Sequence, residues 1–246
     1  MKKHTILFLL LLIGFSGYAQ NFGAEIYEAF ISSDMDKWES IMEVMEAEWK
    51  AKNDPKLLYD LTEAQYGFIG YCIAEKRKKE ARDYIEKAEN NISLLKVFDD
   101  SLSGVYALHG ALFGLRISLE PLKAPTYGKR SEEMNEYAIK LDPLDPQAWM
   151  EKANIEFYKP KMFGGSKSMA VPLYEKAVLL FESNQELVRS NWIYLNCLTA
   201  LANAYSETGQ YRQADHLYKR ILKMEPDFKW IKDDVYPAFK EKHPEI

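Results

Sequence analysis

The chain has few of the residues that usually build metal, disulfide or nucleophilic sites. Its 246 residues include two cysteines and four histidines. No two histidines have the spacing of metal ligands, and none accompanies a nucleophile motif. The clustered carboxylates are most simply solvated faces of helices. The sequence therefore predicts a protein that is not an enzyme, with no catalytic residues, no metal and no cofactor.

Dense positive charge and long apolar runs are also scarce. The only dense basic stretch is residues 76–79, and the formal net charge is −5. Nucleic acid is therefore not an expected partner, because affinity for it depends on neutralising phosphates. Signals for β-strands are nearly absent. The 47% of hydrophobic residues is nevertheless enough for a continuous core, so disorder is not expected.

The first nineteen residues have the pattern of a cleavable signal peptide. Lys2 and Lys3 give a basic start, residues 6–15 are apolar and uncharged, and Ala19 offers a small residue for cleavage. We predict cleavage after Ala19, no membrane insertion afterwards, and a periplasmic or secreted protein. Loss of the two lysines changes the formal net charge from −5 to −7. This short leader resembles those of Gram-negative bacteria.

Residues 195–228 contain one nearly complete helical-hairpin repeat. Its markers are residues at helical spacing, a turn glycine and a closing proline: Leu198, Leu201, Ala202, Tyr205, Gly209, Ala214, Tyr218, Ile221 and Pro226. This pattern resembles the tetratricopeptide (TPR) repeat, in its secreted bacterial type. Such a unit buries its apolar stripe only by stacking on neighbours. The resemblance therefore implies a solenoid that binds rather than catalyses.

The same two-helix pattern recurs along the mature chain. It predicts a single all-α domain over residues 20–246, a right-handed solenoid whose hairpin interiors are shared only with adjacent hairpins. About five hairpins are expected, at 22–52, 55–95, 101–142, 145–183 and 187–226, with a capping helix over 228–243. Cys72 and Cys197 fall in hairpins that are far apart, so we expect two buried free thiols.

Two hairpins have lengthened loops, at residues 125–131 and 160–166. Each loop has a proline, an aromatic residue, glycine and then a serine able to cap the next helix. One interpretation is an anion site at the helix N-terminus. In the other, glycine supplies unusual backbone angles, the aromatic residue plugs the hairpin end and serine caps the helix. The candidate loop-site residues are Lys161, Phe163, Gly164, Gly165 and Ser166.

In the TPR family, the first helix of each hairpin lines a concave groove. The resemblance therefore implies that eight side chains of the fourth and fifth hairpins face a protein or peptide partner: Gln147, Met150, Asn154, Tyr158, Asn196, Thr199, Asn203 and Glu207. An amide such as Asn203 holds a peptide backbone by donating and accepting at once. Family members that clamp a terminal carboxylate have a lysine where this chain has Thr199.

These observations predict an exported TPR-like scaffold that mediates protein–protein interactions in the bacterial envelope or outside the cell. The alternative is a periplasmic solenoid that binds a small ligand, as in solute-uptake accessory components. Its curved stack would close round a pocket lined by Tyr106, Phe113, Trp149 and Tyr158. Aromatic side chains at helical spacing are also typical of a core.

Overall fold

The computed structural model describes residues 21–246, so the predicted signal peptide lies outside the described residues. These residues form helices and no β-strand, which confirms the predicted all-α solenoid of hairpins. None of these helices combines the length and apolarity needed to cross a membrane. The eleven α-helices are α1 Phe22–Ile31, α2 Met35–Lys52, α3 Pro55–Ala74, α4 Lys78–Phe98, α5 Ser103–Leu119, α6 Ala124–Leu141, α7 Pro146–Tyr158, α8 Lys167–Glu182, α9 Trp192–Glu207, α10 Tyr211–Met224 and α11 Tyr236–Lys242.

Aspartate–proline pairs set where two of the first helices begin. Asp54 caps α3 and Asp145 caps α7, and each is followed by a proline in the first turn. The Asp145 carboxylate accepts hydrogen bonds from the backbone N–H of Gln147 at 2.9 Å and of Ala148 at 3.3 Å. Proline at this position sacrifices no intrahelical hydrogen bond. The Asp-Pro pairs that break the pattern in the sequence thus start helices of the second and fourth hairpins.

The first helices of the hairpins form an inner layer. Helices α3, α5, α7 and α9 pack each against the next, whereas the second helices have few or no contacts with one another. On the second helix α4, Ala81, Ile85 and Ala88 are wholly buried, and the two small alanines let the helices of the hairpin approach closely. Cys72 and Cys197 are buried free thiols, as predicted, and burial raises the pKa of Cys72 to about 11.

The stack curves so strongly that its first and fifth hairpins meet. Trp192, at the start of α9, packs against Phe30 and Trp38 with ring centroids 5.7 and 5.1 Å apart. Phe30 also contacts Phe228, with ring centroids at 4.9 Å. We call these four aromatic residues the closing seam. The prediction that interiors are shared only by adjacent hairpins is therefore wrong, because these large side chains bury apolar surface across the two ends of the stack.

The C-terminal segment covers the last hairpin in two parts. A π-helix, Trp230–Val235, precedes α11. Phe228, Ile231 and Phe239 are buried, and Phe239 contacts Tyr218 of α10 with ring centroids 5.4 Å apart. The segment therefore covers the apolar face that a terminal solenoid repeat would otherwise expose.

Candidate functional site

Tyrosine, carboxyl and amide side chains meet on the inner surface, where α3 faces α7. The Tyr59 hydroxyl donates to Gln147 Oε1 at 3.0 Å, and the Tyr66 hydroxyl donates to Glu151 Oε1 at 2.8 Å. The third hairpin separates these two helices in sequence, so the bonds show that the stack bends toward its first helices. We define the inner acidic site as Tyr59, Glu63 and Tyr66 of α3 with Glu151 and Asn154 of α7.

Sequence spacing explains how each helix contributes. On α3, Tyr59, Glu63 and Tyr66 follow the i, i+4, i+7 spacing of one helix face. Tyr59 reaches α7 by passing over the start of α5, where Gly104 leaves the necessary space. A Cβ atom on Gly104 would collide with the Tyr59 hydroxyl. A glycine at this crossing therefore lets helices from two hairpins share one polar site.

Glu151 is a buried carboxyl group with no basic partner among the described residues. Its side chain accepts hydrogen bonds from Tyr66 and, at 2.9 Å, from Asn154 Nδ2. Asn154 in turn accepts from the Tyr174 hydroxyl at 2.5 Å. Burial raises the pKa of Glu151 to about 7, although the bonds from Asn154 and Tyr66 act in the opposite direction. The site thus stabilises a proton on Glu151 near neutral pH.

Glu63, partly exposed, lies on α3 between Tyr59 and Tyr66. Burial raises the pKa of Glu63 to about 8, and the negative charges of Asp60 and Asp145 add to the effect. Lys56 opposes it, but its ammonium group is paired with Asp60 at 2.6 Å. No group of three histidine, cysteine or acidic side chains within residues 21–246 has a metal-binding arrangement. The raised pKa values of Glu63 and Glu151 therefore indicate carboxyl groups that hold protons near neutral pH.

The eight predicted groove residues fall at different depths. Gln147, Met150 and Thr199 are buried, so these three do not line an open groove, which corrects the prediction for them. For Gln147 the physical reason is the curvature, which places Tyr59 of α3 against its side chain, whereas Thr199 donates to the Leu195 carbonyl of its own helix. Partly exposed positions are Asn154, Asn196 and Asn203, and exposed positions are Tyr158 and Glu207.

Two of these residues have further constraints. Gln147 uses its oxygen for Tyr59, while its buried Nε2 has no hydrogen-bond acceptor among residues 21–246. The Glu207 carboxylate is paired with Lys167 at 2.5 Å on the surface. Of the predicted groove residues, the inner acidic site contains only Asn154, and Gln147 borders it. The sequence interpretation missed Tyr59, Glu63 and Tyr66, whose helical spacing on a first helix was the available signal.

The loop after α7 is held by its own backbone. Lys161–Phe163 form a 3-10 turn, Gly164 has φ of 89°, and the Gly165 N–H donates to the Pro160 carbonyl at 3.3 Å. Ser166 caps α8 by accepting from the backbone N–H of Met169. Phe163 is 57% exposed, so the interpretation that it plugs the hairpin end is wrong. The Ser166 cap and the positive φ of Gly164 agree with the interpretation in which glycine supplies unusual backbone angles and serine caps the helix. The aromatic side chain, in contrast, faces solvent.

Four large apolar side chains are exposed near this loop. Tyr158 is 72% exposed, Met162 83%, Phe163 57% and Met169 60%. They all fall within residues 158–169, at the end of the fourth hairpin where α7 connects to α8. We call them the hairpin-4 tip. Exposed apolar residues gathered in one short ordered segment are typical of a binding surface.

The other lengthened segment is not a loop. Helix α6 already begins at Ala124, after a 3-10 turn at Pro121–Lys123. Ser131 is buried inside α6 and donates to the Gly110 carbonyl at 2.8 Å, so it caps nothing. The prediction of a second capped loop is therefore wrong. Proline is tolerated in the first helical turn, which is where Pro125 lies.

The four aromatic residues of the predicted ligand pocket do not converge on one cavity. Tyr106 contacts Tyr137, Phe113 contacts His109 and Tyr127, and Tyr158 contacts Phe157. Trp149 lies under the Lys176 ammonium, 3.2 Å from the ring centroid. Each ring thus packs against a different neighbour. The prediction of one pocket lined by all four rings is therefore wrong.

Two clefts open on the outer surface, between second helices of neighbouring hairpins. The larger, of about 610 Å³, lies between α8 and α10 and includes the apolar residues Val178, Leu201 and Leu217. The smaller, of about 250 Å³, lies between α2 and α4. We call the smaller one the outer cavity, lined by Glu46, Trp49, Gln65, Lys87, Asn90, Asn91 and Leu94.

Comparisons with known proteins support the fold. Neither a protein-family model nor a curated protein matches the chain. Among solved structures, the HusA haemophore from Porphyromonas gingivalis is similar at a TM-score of 0.60 and 21% identity, covering 75% of this chain and 94% of that one. A thermophilic TPR protein from Thermus thermophilus is similar at a TM-score of 0.55 and 15% identity, covering 91% and 94%. At these identities the likeness shows a TPR-like fold.

Proposed function

We propose that this chain is an exported scaffold that binds a protein partner, and that a lysine or arginine side chain of the partner enters the inner acidic site. The TPR-like fold fits a binding scaffold. The basic and apolar N-terminal leader supports export. The observation that carries the proposal is the set of two inner carboxyl groups, Glu63 and Glu151, neither of which forms an ion pair among the described residues.

A cationic side chain suits this site for two physical reasons. Opposite charge nearby favours the ionised carboxylate, so binding would offset the cost of burying the negative charge. The rings of Tyr59 and Tyr66 add surfaces that attract cations. Glu63 retains some solvent exposure, which gives a partner side chain access. Binding should therefore release protons from the two carboxyl groups at neutral pH.

The test is cross-linking in the native host, followed by identification of the captured protein. The double variant Glu63→Gln/Glu151→Gln removes the inner charge while keeping side-chain shape. The matched control, Glu43→Gln/Glu86→Gln, removes two exposed carboxylates of the second helices α2 and α4. We expect the inner variant to lose the partner and to melt at a higher temperature near neutral pH, and the control to keep it. Equal capture by both variants contradicts the proposal.

A second candidate function is binding of a flat apolar ligand at the hairpin-4 tip. Its four exposed side chains offer an aromatic and thioether surface without a charge. A protein of similar fold, from Porphyromonas gingivalis, is a haemophore, so the tetrapyrrole class is the first to test. Tyr158 lies one turn beyond Asn154 and two turns beyond Glu151 on the same face of α7, so the hairpin-4 tip adjoins the inner acidic site.

Absorbance titration with haemin tests this second function. We expect a saturable spectral shift with the wild-type protein, and at least a tenfold weaker one with Tyr158→Ser/Phe163→Ser. Leu144→Ser is the matched control, because Leu144 is 71% exposed but lies at the opposite end of α7. If the tip variant and this control bind haemin alike, the tip is not the site.

A further inference from the structure

We propose that the outer cavity between α2 and α4 is a binding site for a single neutral sugar ring. Its volume is about 250 Å³, and five of its seven lining residues have polar or charged side chains. Drug-sized ligands occupy clefts of roughly 300–1,000 Å³, so this cavity suits something smaller. The proposal concerns a different face and a different ligand class from the inner acidic site.

Two buried amide side chains supply a hydrogen-bond donor and an acceptor to the cavity. Gln65 is 1% exposed and Asn91 is 9% exposed, and Asn91 Nδ2 donates to Gln65 Oε1 at 3.0 Å. This bond leaves the Gln65 amide N–H₂ and the Asn91 carbonyl oxygen without a partner among the described residues. Flipping both amides only exchanges these roles, because each group still offers one free donor or acceptor. A donor and an acceptor therefore stand side by side in either orientation.

Trp49 adds a third polar group and an aromatic ring. Its indole Nε1 is buried and has no hydrogen-bond acceptor within residues 21–246. Most buried indole N–H groups have a partner, so an unpaired one at a cavity wall needs an explanation. A hydroxyl oxygen of a bound ligand would accept from it. The indole ring and Leu94 would meanwhile contact the C–H face of the same ligand.

The charges around the cavity favour a neutral ligand. Lys87 and Glu46 line it together, with Lys87 Nζ 3.5 Å from Glu46 Oε2, and Glu46 is paired with Lys50 as well. Hydrogen bonding to Lys50 lowers the pKa of Glu46, so its charge persists and is matched. The one acidic and the one basic side chain that line the cavity therefore offset each other, whereas Lys50 is not part of its lining. Adjacent donors and acceptors beside an aromatic face match the hydroxyl groups and C–H face of a pyranose.

The experiment is a titration of the full mature protein, labelled with ¹⁵N at its tryptophans, with D-glucose, D-galactose and N-acetyl-D-glucosamine. We expect the Trp49 indole N–H signal, assigned with Trp49→Phe, to shift saturably at millimolar concentrations of at least one sugar. The Trp149 signal is the internal control, because its Nε1 already donates to the Pro143 carbonyl at 2.8 Å. It should not move.

Two variants complete the test. Asn91→Ala should weaken sugar binding at least tenfold, and Trp49→Phe, which keeps an aromatic ring, should weaken it several-fold in a ligand-detected measurement if Asn91→Ala fails to fold. The absence of a saturable Trp49 shift with all three sugars overturns the proposal, and so does wild-type sugar affinity in both variants, measured by ligand detection. A shift produced by a triglycine amide and by no sugar also overturns it, since that would indicate a peptide site.

Discussion

The inner acidic site and the outer cavity lie on opposite faces of the same solenoid, and their carboxyl groups have opposite electrostatic environments. Inside, Glu63 and Glu151 form no ion pair within residues 21–246, and burial raises the pKa of each. Outside, Glu46 is paired with two lysines, and its pKa is lowered. The difference shows that polarity alone does not define a binding surface here. Matched charge favours a neutral ligand, whereas unmatched charge favours a cationic one.

The two sites also depend on different parts of the fold. The outer cavity is formed within the first two hairpins, by α2, α3 and α4. The inner acidic site needs α3 and α7 to meet across the third hairpin, and the closing seam holds the overall curvature in place. Unmatched buried charge costs free energy and persists only where surrounding packing outweighs it. The seam supplies such packing.

The largest expected effect on stability comes from removing an aromatic ring of the closing seam. Trp192→Ala removes a 7% exposed ring that contacts Phe30, Trp38 and Tyr66, so it should lower the free energy of unfolding by about 3–5 kcal/mol. Trp230→Ala, at a ring that is 40% exposed, is the control and should cost much less. Chemical denaturation measures both. Similar losses in the two variants would mean that the seam is not a major source of stability.

An intermediate effect is expected from pH, with opposite signs for the two sites. The folded pKa values of Glu63 and Glu151 lie above the ordinary value of 4.5 for a glutamate. Their stabilisation is therefore complete below about pH 4.5 and is lost as pH rises through about 7 to 8, at a cost of a few kcal/mol. Glu63→Gln/Glu151→Gln should abolish this part of the pH dependence. Denaturation curves across that range check it, and an unchanged slope in the variant contradicts the assignment.

The smallest effect is expected at the outer ion pairs. Glu46→Gln should reduce the free energy of unfolding by less than about 1 kcal/mol, because partly exposed ion pairs contribute little and are screened by salt. The loss should shrink further in high salt. Its pH dependence should run opposite to that of the inner pair, since a lowered pKa stabilises the folded state only above that pKa. A gain in stability on this substitution would show that the comparison between the two faces is wrong.

The two lengthened segments show what local patterns could predict. Both contain proline, an aromatic residue, glycine and serine, yet only residues 160–166 form a loop with Ser166 as the cap. In the other segment, α6 starts at Ala124, and Ser131 is buried against the Gly110 carbonyl. The composition of the two segments is nearly the same. Packing of α6 against α5 decided the difference, and a local pattern does not contain that information.

Sequence reasoning predicted only part of the candidate site. Asn154 was predicted to face the groove and belongs to the inner acidic site, but Met150 at a neighbouring position is wholly buried. The register of a single helix does not say which other helix lies across from it. Tyr66 and Glu151 are 85 positions apart in the chain, and only the curvature brings them into contact.

The sequence by itself determined the all-α hairpins, because helical periodicity, caps and small residues act over a few neighbouring positions. It also determined that the two thiols are buried and unpaired, since they lie on apolar faces of separate helices. Only the tertiary structure decided that the stack closes on itself and gathers tyrosines and carboxyl groups inside. That outcome depends on how small rotations between hairpins add up, and on aromatic contacts between residues at opposite ends of the chain.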